Sequence, residues 1–201
     1  AVDERGKIVD GDQMLVICGL EMKKRGVLKK DTVVGTVMSN LGFDKALEKA
    51  GCNVVKTNVG DRYVLEKMLE EGYNIGGEQS GHIIFLDYNT TGDGILTALQ
   101  LLSVVKRENK KLSELAKVME KFPQVLVNAK VSEESKQNYN QDPDIQKEIK
   151  RLEDRFAGEG RVLIRPSGTE PLVRVMIEGK DQREIEEYAV GLAKLIEERL
   201  I

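Results

Sequence analysis

The chain has 201 residues, 40% of them hydrophobic and 32% charged, with a formal net charge of −3. That length allows one large or two small domains, each with its own core, and the mildly acidic balance without a basic cluster argues against nucleic acid as a main partner. No apolar run approaches the ~20 residues that a membrane span needs; Ile95–Val105 is the longest, and Thr97, Gln100 and Ser103 interrupt it.

Ala1–Val9 reads as a hairpin that turns at Arg5-Gly6-Lys7. It starts in mid-strand, without a methionine or a signal peptide, so the chain is expected to be a piece of something longer. Asp10-Gly11-Asp12 precedes a helical apolar pattern at Met14, Leu15, Ile17, Cys18 and Met22, which Gly26 stops. Paired aspartates can hold Mg²⁺, but ahead of a helix the N-cap is the preferred reading. Strand Asp31–Val37, helix Asn40–Ala50, strand Asn53–Thr57 and helix Asp61–Glu71 follow. The last of these shows Val64, Leu65, Met68 and Leu69 as its apolar face, Asp61 as N-cap and an exposed Arg62 within reach of a phosphate. A glycine-rich loop then leads to strand Ile83–Leu86 and helix Gly94–Arg107, with Asp93 as its default cap. Strands alternating with helices predict a mainly parallel mixed sheet with helices on its faces. Ligands of such α/β sheets gather at the loops beyond the strands' carboxyl ends.

A short helix at Ser113–Phe122 is expected to stop before Pro123, and there the pattern changes. Strand Gln124–Val131, a polar loop Ser132–Pro143, a charged helix Asp144–Ala157, strands Arg161–Ile164 and Leu172–Glu178, and an amphipathic helix Gln182–Leu200 complete the chain. This βαββα order predicts a small α+β domain: an antiparallel sheet with two helices on one side. The boundary falls near residue 121, giving domains 1–121 and 122–201. Cys18 and Cys52 lie far from each other and from the only histidine. They read as buried reduced thiols in a cytoplasmic protein rather than as metal ligands.

Two loops carry candidate chemistry. Arg165-Pro-Ser-Gly-Thr-Glu-Pro-Leu-Val-Arg174 offers backbone N–H groups, the hydroxyls of Ser167 and Thr169, and an arginine at each end. That is the equipment a phosphate needs, since it presents several acceptor oxygens and about two charges. Proline and glycine also make ordinary tight turns, and Arg165 is equally able to pair with Glu170; spacing leaves both readings open. Gly76-Gly-Glu-Gln-Ser-Gly-His82 places a carboxylate (Glu78), an amide (Gln79) and a hydroxyl (Ser80) on consecutive residues, a set suited to a polyhydroxylated ligand. His82 suits acid–base work or anion pairing there, and a glycine-rich strand connection with a structural histidine is the plain alternative.

These two motifs, with the Thr90-Thr-Gly-Asp-Gly-Ile95 run, resemble the phosphohexomutase superfamily in its own order and over essentially the whole chain. The resemblance implies the third domain of a four-domain enzyme, with the sugar-binding loop, followed by the fourth, with the phosphate-binding loop. It implies contacts from Glu78, Gln79 and Ser80 to sugar hydroxyls, and His82 near the reacting groups. It implies Arg165, Ser167, Gly168, Thr169 and Arg174 around the phosphate that is not being transferred. Gln79 and Thr90-Thr91-Gly92 favour the branch acting on glucosamine phosphates, over relatives acting on glucose or mannose phosphates. The implied reaction interconverts the 6- and 1-phosphates through a phosphoserine and a sugar bisphosphate, and feeds amino-sugar nucleotide and cell-wall precursors. The Ser-His-Asn-Pro-like loop of the nucleophile and the Asp-Gly-Asp-x-Asp-Arg loop that holds Mg²⁺ are absent from this chain. The expectation is therefore a substrate-holding half, inactive alone, that holds no metal itself, with missing N-terminal domains and a phosphosugar as partners. A stand-alone phosphosugar-binding module is the competing class. The residues do not say whether the protein dimerises, or what Asp61, Arg62 and Asp93 do.

Overall fold

Asp10 sets the start of the first helix in the computed structural model, which describes residues 1–200. Its side chain accepts the N–H of Gln13, and the Gln13 amide accepts the N–H of Asp10, closing a capping box at the head of α1 (Gly11–Lys24). Asp12, in the first turn of α1, is fully buried, and its Oδ2 accepts the N–H of Asn40 at 2.8 Å. The cap reading of this aspartate pair therefore holds.

The contacts within the chain divide it into Ala1–Lys121 and a second unit from Phe122 onward. In the first, β1 (Thr32–Thr36), α2 (Leu41–Lys49), β2 (Asn53–Thr57), α3 (Asp61–Glu71), β3 (Ile75–Gly77), β4 (Ile83–Phe85) and α4 (Gly94–Glu108) follow α1. The sheet runs β2-β1-β3-β4, with β1 parallel to β2 and β3, and β4 antiparallel to β3. Side chains alternate across it: Val33 packs with Leu15, Phe43 and Leu47 on one face, and Val34 with Val64 and Met68 on the other. Every residue of β1 is buried, as expected of a strand covered on both faces.

Five local expectations change. Gly76 and Gly77 are not loop: they form β3, because hydrogen-bonded neighbours on both sides override glycine's weak strand preference. Gly60, not Asp61, precedes α3, and the Asp61 carboxylate accepts the N–H of Arg62. Leu69 is 58% exposed, since the helix buries Val64 and Met68, four residues apart, with Leu65 packed partly beside them. The helix expected over Ser113–Phe122 is a single turn, α5 (Leu112–Leu115), and a 3-10 turn. Met119 beyond it takes an extended backbone and buries its side chain, so core contact displaces further helix. The N-terminal hairpin is one bridge, Val2 with Ile8, rather than paired strands.

The second unit comprises β5 (Gln124–Lys130), α6 (Pro143–Phe156), β6 (Arg161–Pro166), β7 (Leu172–Glu178) and α7 (Gln182–Leu200). Its antiparallel sheet has the order β5-β7-β6. Val127, Ile164, Val173 and Val175 share one face with Ile145 and Leu152 of α6 and Ile185, Leu192 and Ile196 of α7. Both helices therefore lie on that side, and the alternate residues, Arg165 and Arg174 among them, lie on the other. Asp142 caps α6 and Pro143 occupies its first turn, a residue earlier than predicted. Strand β6 also runs two residues further than predicted, making Arg165 and Pro166 paired strand residues. Cys18 and Cys52 are free and buried, and burial pushes the Cys18 thiol up to about 12. Among the described residues no helix is long and apolar enough to cross a membrane.

Candidate functional site

The loop between β3 and β4 is held almost entirely by backbone. Within it, Glu78 N–H donates to His82 O and Gly81 N–H donates to Glu78 O, each at 3.0 Å. From outside, Gly11 N–H at the head of α1 donates to Gln79 O at 2.9 Å, and Asp93 N–H donates to Ile83 O at 3.2 Å. Gly60 N–H, just before α3, donates to Glu78 Oε1 at 2.9 Å. The last contact anchors one oxygen of the Glu78 carboxylate and leaves the other to accept. The approach of α1 is so close that a Cβ on Gly11 would lie 2.1 Å from Glu78 O, a backbone atom with nowhere to go. Gln79 is half-buried and Ser80 exposed.

His82 closes this loop between two others. Its ring lies against Gly92, where a Cβ would sit 2.1 Å from Cδ2. Its Nε2 is 3.9 Å from Asp61 Oδ2, with both side chains about half exposed (52% and 51%). The structure thus gathers the starts of α3 and α4 around the sequence-predicted loop. Asp61 and Gly92 as neighbours of His82 escaped the sequence reading; the clue available was that both stand beside helix starts, where backbone N–H groups and carboxylates collect. Asp93 is the cap of α4, and the Leu96 N–H that it accepts holds its carboxyl below the usual range. Arg62 is exposed and pairs with Glu66 at 2.7 Å.

The second loop, 167–171, joins β6 to β7 and is built differently. Arg165 and Arg174 are direct partners across the two strands. Arg174 meets Glu170 at 3.6 Å, whereas no carboxylate among the described residues meets Arg165. The alternative in which Arg165 pairs with Glu170 is thus not what forms. Ser167 is buried, its N–H donates to Leu172 O at 2.8 Å, and its Oγ accepts the N–H groups of Thr169 and Glu170. Thr169 beside that local turn is exposed, and around the ideal Cβ of Gly168 nothing lies within 4 Å. Like charges opposed across a sheet are destabilising unless an anion lies between them.

Metal chemistry finds no ligand set here. Among the described residues no three His, Cys, Asp or Glu side chains are placed to hold an ion. Asp10 caps α1 and pairs with Lys121 at 2.7 Å, and Asp12 is sealed against Asn40. These residues do not fit the magnesium that the resemblance assigns to the whole enzyme.

Comparison with known proteins agrees with this architecture. Residues 10–122 match the family model "Phosphoglucomutase/phosphomannomutase, alpha/beta/alpha domain III", and residues 126–195 match "Phosphoglucomutase/phosphomannomutase, C-terminal domain". The chain is 66% identical over 200 residues to the phosphoglucosamine mutase of Alkaliphilus oremlandii, covering all of this chain and 44% of that relative. It is 64% identical to the phosphoglucosamine mutase of Acetivibrio thermocellus, again over 44% of the relative's length. The chain thus spans less than half the length of the curated relatives it matches. Among solved structures, Aspergillus fumigatus N-acetylphosphoglucosamine mutase superposes with a TM-score of 0.82 at 21% identity, over 98% of this chain and 45% of that one. A complex of the same enzyme with GlcNAc-6P and magnesium gives 0.81 at 22% identity, over 100% of this chain and 46% of that one. At such identities the superpositions speak for the fold, and the two family models, which together account for most of the chain, speak for descent. With these motifs, sheets and matches together, the chain belongs to the phosphoglucomutase/phosphomannomutase family of phosphohexomutases, of which it carries the third and C-terminal domains.

Proposed function

We propose that the chain is the substrate-holding part of an enzyme that interconverts glucosamine 6-phosphate and glucosamine 1-phosphate. The observation that carries this reading is the Arg165–Arg174 pair, two arginines at partnered positions of β6 and β7, of which only Arg174 meets a carboxylate among the described residues. Such a pair is complete only with an anion, and Ser167, Gly168 and Thr169 line the turn beside it. It clamps the phosphate that stays on the sugar, while Glu78, Gln79 and Ser80 read the hydroxyls and the amino group. His82 takes or returns a proton at the reacting oxygen in this reading, which its half-exposed position beside Asp61 supports. The sugar binds in two orientations through a bisphosphate intermediate, so one loop must tolerate either end of the ring and the other must grip either phosphate. Positioning and charge neutralisation are most of what phosphoryl transfer asks of a protein. In this reading the phosphorylated serine and the magnesium loop belong to the part of the relatives that this chain does not match, and the chain alone does not turn substrate over.

The reading is tested by calorimetric titration of the chain with glucosamine 6-phosphate, glucose 6-phosphate, mannose 6-phosphate and inorganic phosphate. Glucosamine 6-phosphate should bind most tightly. Preference for the glucose or mannose ester would move the assignment to the glucose- or mannose-phosphate branch for which the family models are named. Indifference among all four would leave only an anion clamp. Turnover by the chain alone would overturn the placement of the nucleophile elsewhere.

A further inference from the structure

Asp12 is fully buried and takes no part in the proposed chemistry. Its Oδ2 accepts the N–H of Asn40, and its Oδ1 is buried with no hydrogen-bond partner among the described residues. A buried acceptor left unpaired lowers stability, so stability alone does not account for a carboxylate here. What the carboxylate holds is the head of α1. Gly11, the residue before it, donates its N–H to Gln79 O, which lies between Glu78 and Ser80. Neighbouring Cα atoms are about 3.8 Å apart, so fixing Asp12 fixes Gly11, and the loop with it.

Two other side chains reach out from this end of the helix. Asp10 pairs with Lys121 at 2.7 Å, but the lysine is 54% exposed, and such surface pairs hold weakly. Gln13 Nε2 meets Ala116 O only at 3.4 Å, near the outer limit of a hydrogen bond. Of the three contacts, Asp12 with Asn40 is the one that is short, buried at both ends and charge-assisted. Beyond Asn40 the tie continues into the sheet. Asn40 caps α2 by accepting the N–H of Gly42, and Ser39 before it exchanges two hydrogen bonds with Thr36, the last residue of β1. Thr36, Ser39 and Asn40 are at most 1% exposed. A continuous buried path thus runs from β1 through Asp12 to the Glu78–His82 loop.

We infer that Asp12 is a positioning residue for that loop: it ties the head of α1 to β1 and so sets where Glu78 and Ser80 stand, without touching the sugar. Its consequence for sugar binding deepens the function proposed above and rests on it, whereas the tie rests on geometry alone. Removing the carboxylate should loosen the hydroxyl readers and leave the Arg165–Arg174 pair, in the other unit, as it is.

Amide hydrogen exchange and calorimetric titration with glucosamine 6-phosphate and inorganic phosphate test this on the chain and on its Asp12→Ala and Asp12→Asn variants. In Asp12→Ala the Gly11 amide should exchange at least tenfold faster, with the amides of Val33 and Val34 in β1 unchanged. Affinity for glucosamine 6-phosphate should fall at least tenfold, while that for phosphate stays within twofold. Asp12→Asn keeps an acceptor for Asn40 N–H and should bring both readouts back to within threefold of the original chain. Unchanged Gly11 exchange, equal losses for the two ligands, or no recovery in Asp12→Asn would each overturn the inference. If Asp12→Ala unfolds, so that the β1 amides exchange freely as well, the original chain decides. Coupling between two sites is reciprocal, so glucosamine 6-phosphate, and not phosphate, should slow exchange of the Asn40 amide at least threefold. Exchange there that ignores the sugar phosphate would overturn the inference. An original chain that binds both ligands alike would count against the proposed function, and Gly11 exchange in Asp12→Ala would still decide the tie.

Discussion

The Glu78–His82 loop and the 167–171 loop are built by opposite physical means. The first is wedged: backbone of α1, of the turn before α3 and of the approach to α4 hydrogen-bonds to it, and Gly11 stands where no side chain fits. The second is charged and open. Its two strands bring Arg165 and Arg174 together, a buried serine folds the turn onto itself, and Gly168 faces empty space. A site that must read a ring of hydroxyls needs fixed directions, which steric closeness supplies. A site that must grip a charged group needs attraction that is strong and little dependent on angle, which two arginines supply.

The same substitution against the first loop and within the second is the sharpest way to break this contrast. Gly11→Ala forces a methyl into the Glu78 carbonyl and should cost about 3 kcal/mol in urea unfolding of the first unit, at the upper end of overpacking effects. Gly168→Ala should change stability by less than about 0.5 kcal/mol, as at an uncrowded surface position. Equal costs at the two sites would remove the distinction.

Arg165→Ala addresses the charged loop. Loss of a charge-assisted contact should weaken glucosamine 6-phosphate binding roughly 30-fold, about 2 kcal/mol. The fold should gain slightly or stay level in thermal unfolding, because a like-charge opposition with Arg174 disappears. A protein that lost stability instead would show that Arg165 is there for the sheet and not for a ligand.

A pH dependence separates the units. Burial pushes the Asp12 carboxyl up to about 6 from 3.8, against the N–H of Asn40, which pulls it down. The folded chain therefore keeps this proton to a higher pH than the unfolded chain. Its contribution to stability is full below pH 3.8 and is lost as the pH rises through about 6. Between those limits the first unit should lose up to about 3 kcal/mol from this group, at roughly 1.4 kcal/mol per pH unit. Asp12→Asn should flatten that slope in denaturation followed at several pH values. An unchanged slope would mean that Asp12 does not titrate there. The smallest expected change is Glu78→Gln, which keeps a neutral acceptor for Gly60 N–H. It should lower the preference for glucosamine over mannose phosphate only a few-fold, and a uniform loss for all sugars would count against its role as a hydroxyl reader.

Much of the fold was legible because its periods are regular. The bounds of β2, α3, β7 and α7 follow from apolar spacing and flanking turn residues alone. Asp10, Asn40 and Asp93 were recognisable as caps or helix starts for the same local reason: each satisfies orphan N–H groups within three residues of itself. Glycines defeated the reading at Gly76-Gly77, where composition says loop but partners from β1 and β4, remote in sequence, make a strand. Leu69 was misplaced because a helix's apolar count does not say which of four candidates the sheet will cover.

By itself, then, the sequence determined which groups the two loops offer, since hydroxyls, carboxylate and guanidinium groups are properties of single residues in one short run. Only the tertiary structure decided how they are held. It set Asp61 and Gly92 against His82, Gly60 against Glu78, and Arg174 rather than Arg165 against Glu170. Each of these pairings depends on sheet register or helix approach, and no local pattern of residues encodes either.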